Sequence, residues 1–177
     1  THAINAVITG NTARTALLTT AGHPDILVLR EAGRIEPFNF TVPHPPPYVP
    51  RALTFEVPER VRHDGAVHTP LDEAAVVAAI GRLRDAGVEA VAVCLLWSIA
   101  NPAHELRVGE LLDEHLPGVP FTLSHRLNPT LREYRRAAST AMDASLKPLM
   151  TRYLGGLTER LTAPGFAGRA LVLTSLG

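Results

Sequence analysis

Residues 71–123 read LDEAAVVAAIGRLRDAGVEAVAVCLLWSIANPAHELRVGELLDEHLPGVPFTL, and their patterning decides the fold class. Leu71-Asp72 opens a segment in which Val76, Ala79, Ile80 and Leu83 recur at helical spacing, and Gly87 closes it. Val88 to Trp97 follows as a nearly unbroken apolar run, the pattern of a strand buried on both faces. Asn101-Pro102 then carries the signature of a helix start: asparagine caps, and proline sits in the first turn, where its missing N–H costs nothing. Leu106, Leu111, Leu112 and Leu116 give this second helix its apolar side, and Pro117-Gly118 stops it. Val119 to Leu123 predicts another short strand. Helices alternating with strands are α/β order, with at least some parallel pairing.

Upstream, residues 2–9 have helical composition, and Arg14 to Thr20 (RTALLTT) predicts a strand closed by Ala21-Gly22-His23-Pro24. Asp25 to Leu29 is too short to assign to helix or strand. Residues 31–50 end in HPPPYVP and form a proline-rich connector. Three successive prolines fix φ and remove donors, so the segment reads as a rigid surface loop rather than a proline-recognition ligand. Leu53, Phe55 and Val57 alternate with polar partners, as in a strand with one wet face. Asp64-Gly65 is a hairpin turn signal, which makes the expected sheet mixed. Downstream, Asn128-Pro129 repeats the cap-and-proline signature and predicts a long helix to about Leu161, kinked or split at Pro148. Ala170 to Thr174 predicts the last strand. The expectation is one domain over 1–177, a mixed sheet with flanking helices. The start at Thr1 and the end at Gly177, directly after a strand-like run, predict an internal fragment.

Composition narrows the function classes. Seventeen Lys and Arg balance seventeen Asp and Glu, which argues against a dedicated nucleic-acid binder. No apolar run approaches the ~18 residues of a membrane span. Cys94 is the single cysteine, so no internal disulfide forms, and a cytoplasmic location is expected. Its place in VAVCLLW predicts a buried, inert thiol.

Two groups of residues invite chemistry. His104-Glu105 lies in the first turn after Asn101-Pro102, where Glu105 suits the helix dipole; capping and packing are expected over metal binding or proton transfer. The cluster Arg132-Glu133-Tyr134-Arg135-Arg136, with Ser139, would place Arg132, Arg135, Arg136 and Ser139 on one helical face. Convergent guanidinium forks suit a carboxylate or phosphate, and a solvated charged face is the alternative. There is no zinc-type His spacing, no Walker loop, no dinucleotide-binding glycine motif and no serine-hydrolase elbow.

In order along the chain, TALLTTAGHPDIL, VPRALTFEVPERV, DGAVHTPLDE, AGVEAVAVCLLWSIANPAHE, LREYRRAASTAMDASLKP and LVLTSLG together resemble the N-terminal region of the hydantoinase A/5-oxoprolinase family. The NPAHE segment, Asn101 to Glu105, is the most specific piece. The resemblance implies an actin-like ATPase (ribonuclease H-like) fold. It also implies ATP and a divalent cation in the full-length enzyme, neither bound by this segment alone. The activity implied is hydrolysis of C–N bonds in cyclic amides such as hydantoins and 5-oxoproline. The implied partners are the remainder of the polypeptide, a hydantoinase B-type subunit and a small-molecule substrate. By position, Thr1 and Asn5 fall near the substrate, and Arg132, Glu133, Tyr134 and Arg136 match the family's helix motif. Ile4, Pro24, Asp143 and Leu176 depart from the family pattern and point to a diverged pocket. Two other readings stay open: a nucleotide-handling subunit of an acetone- or acetophenone-type carboxylase, and a non-catalytic scaffold.

Overall fold

In the computed structural model, residues 2–31, 36, 38–162, 168 and 171 are described. In chain order they form α1 (His2–Thr9), β1 (Thr15–Thr20), α2 (Ile26–Leu29), a 3₁₀ turn (Arg51–Leu53), β2 (Thr54–Val57), β3 (Arg60–Val61), β4 (Val67–Thr69), α3 (Glu73–Asp85), β5 (Ala90–Cys94), α4 (Ala103–His115), β6 (Phe121–Leu123), α5 (Ser124–Leu127) and α6 (Glu133–Thr162). Four strands make one sheet in the order β2-β1-β5-β6. Every neighbouring pair in it is parallel, with Leu18 opposite both Phe55 and Val93, and Val93 opposite Leu123. All four strands therefore end on the same side of the molecule.

The α/β expectation holds, and the sheet is laid out as apolar runs dictate. β1 and β5 are buried at every position, so both faces of the sheet centre are covered. α3 earns its helix from the predicted spacing: Asp72 caps it by accepting the Ala75 N–H at 2.9 Å, and Val76, Ala79, Ile80 and Leu83 are all buried. Gly87, at φ 62°, takes the left-handed turn that ends it. α6 lies along β5, β1 and β6 and offers them small residues, Ala137, Thr140, Ala141 and Ala144, all buried. α3 packs on α4 and β2, and α4 packs on β5 and β6.

Several boundaries differ from expectation. The hairpin forms with Gly65 at φ 82°, but β3 and β4 pair only with each other, so antiparallel pairing stays outside the main sheet. Leu53 belongs to the 3₁₀ turn before β2. The apolar run to Trp97 stops being a strand at Cys94. In the next helix Pro102, not Asn101, takes the N-cap position, while Asn101 one residue earlier accepts the Ala103 N–H at 3.1 Å. Asn128-Pro129 does not open the long helix. Asn128 instead closes α5 by donating its N–H to Ser124, and its side chain donates to Ser139; α6 starts only at Glu133. Pro148 lies inside α6 without splitting it. The residues expected in a final strand, 170–174, lie outside the described ones apart from Leu171, which is in no strand. In the proline-rich segment the chain is anchored at its end: Val49 is buried and the Tyr48 hydroxyl meets Ser145 Oγ at 2.7 Å.

Val93 is fully buried between two parallel neighbours. Val93→Ala is expected to lower the unfolding free energy by roughly 1–3 kcal/mol through lost burial and a residual cavity. Urea denaturation checks this, and an unshifted midpoint contradicts a central position for β5.

Candidate functional site

The carboxyl ends of parallel strands are where α/β sheets place ligands, because the chain leaves the sheet there in loops and helix N-termini point at the opening. Here that edge is built by Thr20 at the end of β1, Glu59 just beyond β2, Leu95 and Leu96 beyond β5, and Ser124-His125 beyond β6. The first turns of α4 and α6 add His104, Glu105 and Arg136.

Glu105 is fully buried and is the centre of the cluster. Its Oε1 accepts the Leu95 N–H at 2.8 Å and the Ser124 hydroxyl at 2.6 Å. Its Oε2 accepts the His125 N–H at 3.1 Å and faces His125 Nδ1 at 2.6 Å. Burial alone would push this carboxyl up. The hydrogen bonds from the His125 ring, Ser124 and the two backbone N–H groups outweigh burial and hold it below its ordinary 4.5. Arg136 lies on the other side, also fully buried. It donates to Ser124 Oγ at 3.1 Å, to the Leu95 carbonyl at 2.8 Å and to the Thr130 carbonyl at 3.2 Å.

A second carboxylate–histidine pair sits beside the first. Glu59 is buried; its Oε2 is 2.7 Å from His104 Nδ1, and its Oε1 accepts the Thr20 hydroxyl in a short hydrogen bond. Thr20 Oγ1 in turn accepts the Leu96 N–H at 2.9 Å. Consecutive backbone donors, Leu95 and Leu96, thus anchor the two pairs. Ser98 and Ser124 meet at 3.3 Å across them. Cys94 adjoins the cluster, but burial pushes its thiol up to about 11, so it stays neutral and a poor nucleophile.

Among the residues singled out in the sequence, Arg136 joins this cluster. Thr1 lies outside the described residues. Asn5 is exposed on α1. Arg132 stands one residue before α6 at φ 77°, exposed, so the expected shared face with Arg136 does not form. Arg135 turns to solvent and pairs with Glu31 at 2.8 Å. Glu133 is half-buried in the first turn of α6, and Tyr134 lines a separate cavity of about 240 Å³ with Leu27, Pro46 and Tyr48. His104-Glu105 was expected to cap and pack. The structure packs both side chains inward, each against a partner distant in sequence. Thr20, Glu59, Ser124 and His125 carried no local signal beyond their position at strand ends.

A groove of about 570 Å³ lies elsewhere, at the start of β6 among Asp113, Phe121, Lys147, Pro148 and Arg152. Lys147 there is already committed to the Phe121 carbonyl. Chemistry therefore favours the carboxyl edge. The sequence supplies no glycine-rich phosphate loop at that edge, and the Gly22 N–H in the turn after β1 goes to Glu56 Oε1 at 2.7 Å. Among the described residues no three His, Cys, Asp or Glu side chains are grouped to hold a metal ion. No described helix is long and apolar enough to cross a membrane.

A parallel α/β unit with a buried polar cluster at its carboxyl edge defines the class of protein. Residues 1–116 match the model of the hydantoinase/oxoprolinase N-terminal region, and the chain belongs to that family. It is 38% identical over 165 residues to the caprolactamase subunit alpha of Pseudomonas jessenii, covering 92% of this chain and 23% of that one. It is 34% identical over 190 residues to the acetophenone carboxylase gamma subunit of Aromatoleum aromaticum, covering 100% of this chain and 26% of that one. The crystal structure of the ATP-dependent caprolactamase from Pseudomonas jessenii superposes with a TM-score of 0.80 at 36% identity, covering 89% of this chain and 23% of that one. The chain thus spans about a quarter of the length of these relatives.

Two outcomes test the cluster. Arg136→Ala leaves the buried Leu95 carbonyl, the buried Ser124 hydroxyl and the Thr130 carbonyl without this donor, so a loss of roughly 3 kcal/mol or more in unfolding free energy is expected. A solvated arginine would give almost none, and urea denaturation separates the two. Glu105 has a depressed carboxyl, so its contribution to stability is fully present above about 4.5 and is lost as pH falls through its lower folded value. The stability gap between wild type and Glu105→Gln should therefore be largest near neutrality and narrow progressively in acid, below that point. A gap independent of pH contradicts an ionised Glu105.

Proposed function

We propose that this chain is part of an ATP-dependent enzyme that opens cyclic amides, lactam-, hydantoin- or oxoproline-like, by hydrolysing the ring C–N bond. The observation that carries the reading is 38% identity, over nearly the whole chain, to a caprolactamase subunit. The carboxyl-edge cluster supports it, since amide hydrolysis needs groups that hold and move protons in a dry setting. Phosphorylation by ATP, with a divalent cation, would turn a poor amide electrophile into a reactive one. The nucleotide and the cation are assigned to the remainder of the polypeptide, because this sequence has no glycine-rich loop to cradle a phosphate. A hydantoinase B-type subunit is the proposed partner. The substrate-side roles of Thr1, Asn5, Arg132, Glu133 and Tyr134 belong to this proposal. For Arg136 the burial supports a supporting role beneath the site rather than contact with substrate.

A second reading has its own support, the match to a carboxylase gamma subunit across the entire chain. In that case the ATP-driven step consumes a ketone and bicarbonate. One assay decides. The intact protein with its partner subunit is given ATP and a panel of lactams, hydantoins and 5-oxoproline, and, separately, ketones with bicarbonate. ADP release coupled to ring opening without bicarbonate is the expected result. ADP release only with ketone and bicarbonate would replace the first reading by the second.

A further inference from the structure

The Glu105–His125 pair is more tightly determined than a packing contact requires. One oxygen of Glu105, Oε2, is gripped twice by the same residue, through the His125 backbone N–H at 3.1 Å and ring Nδ1 at 2.6 Å. The other oxygen is occupied by Leu95 and Ser124. A carboxylate with both oxygens occupied this way is an acceptor only, so the ring proton sits on Nδ1. In the neutral ring that leaves His125 Nε2 with a bare lone pair. The ring makes no other hydrogen bond among the described residues, and its side chain keeps 13% of its surface open while Glu105 keeps none. The second pair, Glu59–His104, repeats the Nδ1 contact, but its histidine lacks the backbone grip.

We propose that His125 Nε2 is the proton-accepting atom of this site and that Glu105 is the residue positioning it. The proposal rests on the cyclic-amide reading above. In the step it performs, a water gives one proton to Nε2 as its oxygen bonds to the amide carbon. The ring C–N bond breaks and its electron pair stays on nitrogen. The same proton then passes from Nε2 to that nitrogen, which leaves as an amine, while the water oxygen remains on the carboxyl product. His125 ends as it began, and the phosphoryl group that ATP would place on the amide oxygen would stay with the carbonyl fragment as an acyl phosphate until a second water released it as phosphate. A base whose orientation is fixed before substrate arrives avoids the reorganisation that a free imidazole would need.

Two measurements test it on the intact protein. In the first, histidine ¹⁵N labelling with long-range proton–nitrogen NMR reads the tautomer. His125 should carry its proton on Nδ1 with a bare Nε2 at neutral pH, and Glu105→Gln should disturb that preference. A proton on Nε2 in the wild type overturns the proposal whatever the protein turns over. In the second, His125→Asn keeps an amide donor where Nδ1 lay, so the Glu105 contact survives, but it deletes Nε2. The expected result is an unchanged urea midpoint with kcat lowered by roughly 100-fold or more and KM little altered. Retained kcat in a folded His125→Asn protein overturns the role. If that variant fails to fold, the tautomer measurement still decides. Wild-type protein that opens no cyclic amide, yet shows the Nδ1–H tautomer, refutes the proposed function and leaves the bare Nε2 standing.

Discussion

Burying the carboxylate of Glu105 is the constraint on which this structure turns. Moving such an ion out of water costs several kcal/mol after relaxation, and only dense hydrogen bonding offsets it. The four donors that do so come from three places: the end of β5, the first residue of α5 and the second. None can move without exposing the charge to an unpaired environment. Arg136 completes the arrangement from α6, since it binds the same Ser124 and the carbonyl of the same Leu95 whose N–H binds Glu105. One residue at a strand end is thus held by an acid through its donor and by a base through its acceptor. Helices α4, α5 and α6 are locked to the sheet at a single point.

This explains why β5 ends earlier than its apolar run. Leu95 and Leu96 are apolar and buried, and nothing in their side chains disfavours strand. Their N–H groups, however, go to Glu105 and Thr20 instead of to a neighbouring strand. The chain then turns sharply, with Trp97 at φ 57°, a left-handed conformation that a bulky residue adopts only when its surroundings enforce it. The small hairpin helps enforce it. Asn101 Nδ2 donates to the Gly65 carbonyl at 2.9 Å, and the His63 ring stands edge-on to Trp97 with centroids 6.2 Å apart. A two-stranded piece that could not stand alone in water is thereby used as a brace for the loop that leads into the NPAHE turn.

What could be read in the sequence was the part governed by local periodicity. The spacing of Val76, Ala79, Ile80 and Leu83 forces a helix, and the run around Val91 to Val93 forces a buried strand, whatever surrounds them. The site obeys a different logic. Glu59 meets His104 across 45 positions, Glu105 meets His125 across 20, and Leu96 meets Thr20 across 76. No window along the chain contains these pairs. Local rules placed Glu105 in a first helical turn, as the structure has it, but could not tell that its side chain faces the core. The arginine cluster misled for a related reason. Periodicity puts Arg132 and Arg136 together only if the helix already includes Arg132, and the positive φ there removes it. Asn128-Pro129 had the right residues for a cap, but the short helix α5 claimed the asparagine first.

The same reasoning bears on which side of the molecule carries function. The groove at the start of β6 is lined by Val119, Pro120, Phe121 and Pro148, with Asp113, Arg152 and a lysine already paired to the Phe121 carbonyl. The carboxyl edge holds two buried acids, two histidines and a buried arginine in two hydrogen-bonded groups that share the consecutive backbone of Leu95 and Leu96. A fold selected for stability alone would fill such a position with apolar side chains, since buried ionic groups are often no more stabilising than well-packed hydrophobic ones. The stability those groups forgo must be supplied elsewhere, and the parallel core of Leu17, Leu18, Val91 and Val93, buried without exception, is what supplies it. A rigid apolar sheet beneath and a costly polar cluster at its open end is an arrangement that fixes side-chain geometry before any ligand arrives. The price of that fixed geometry is the reason to assign the cluster a chemical role.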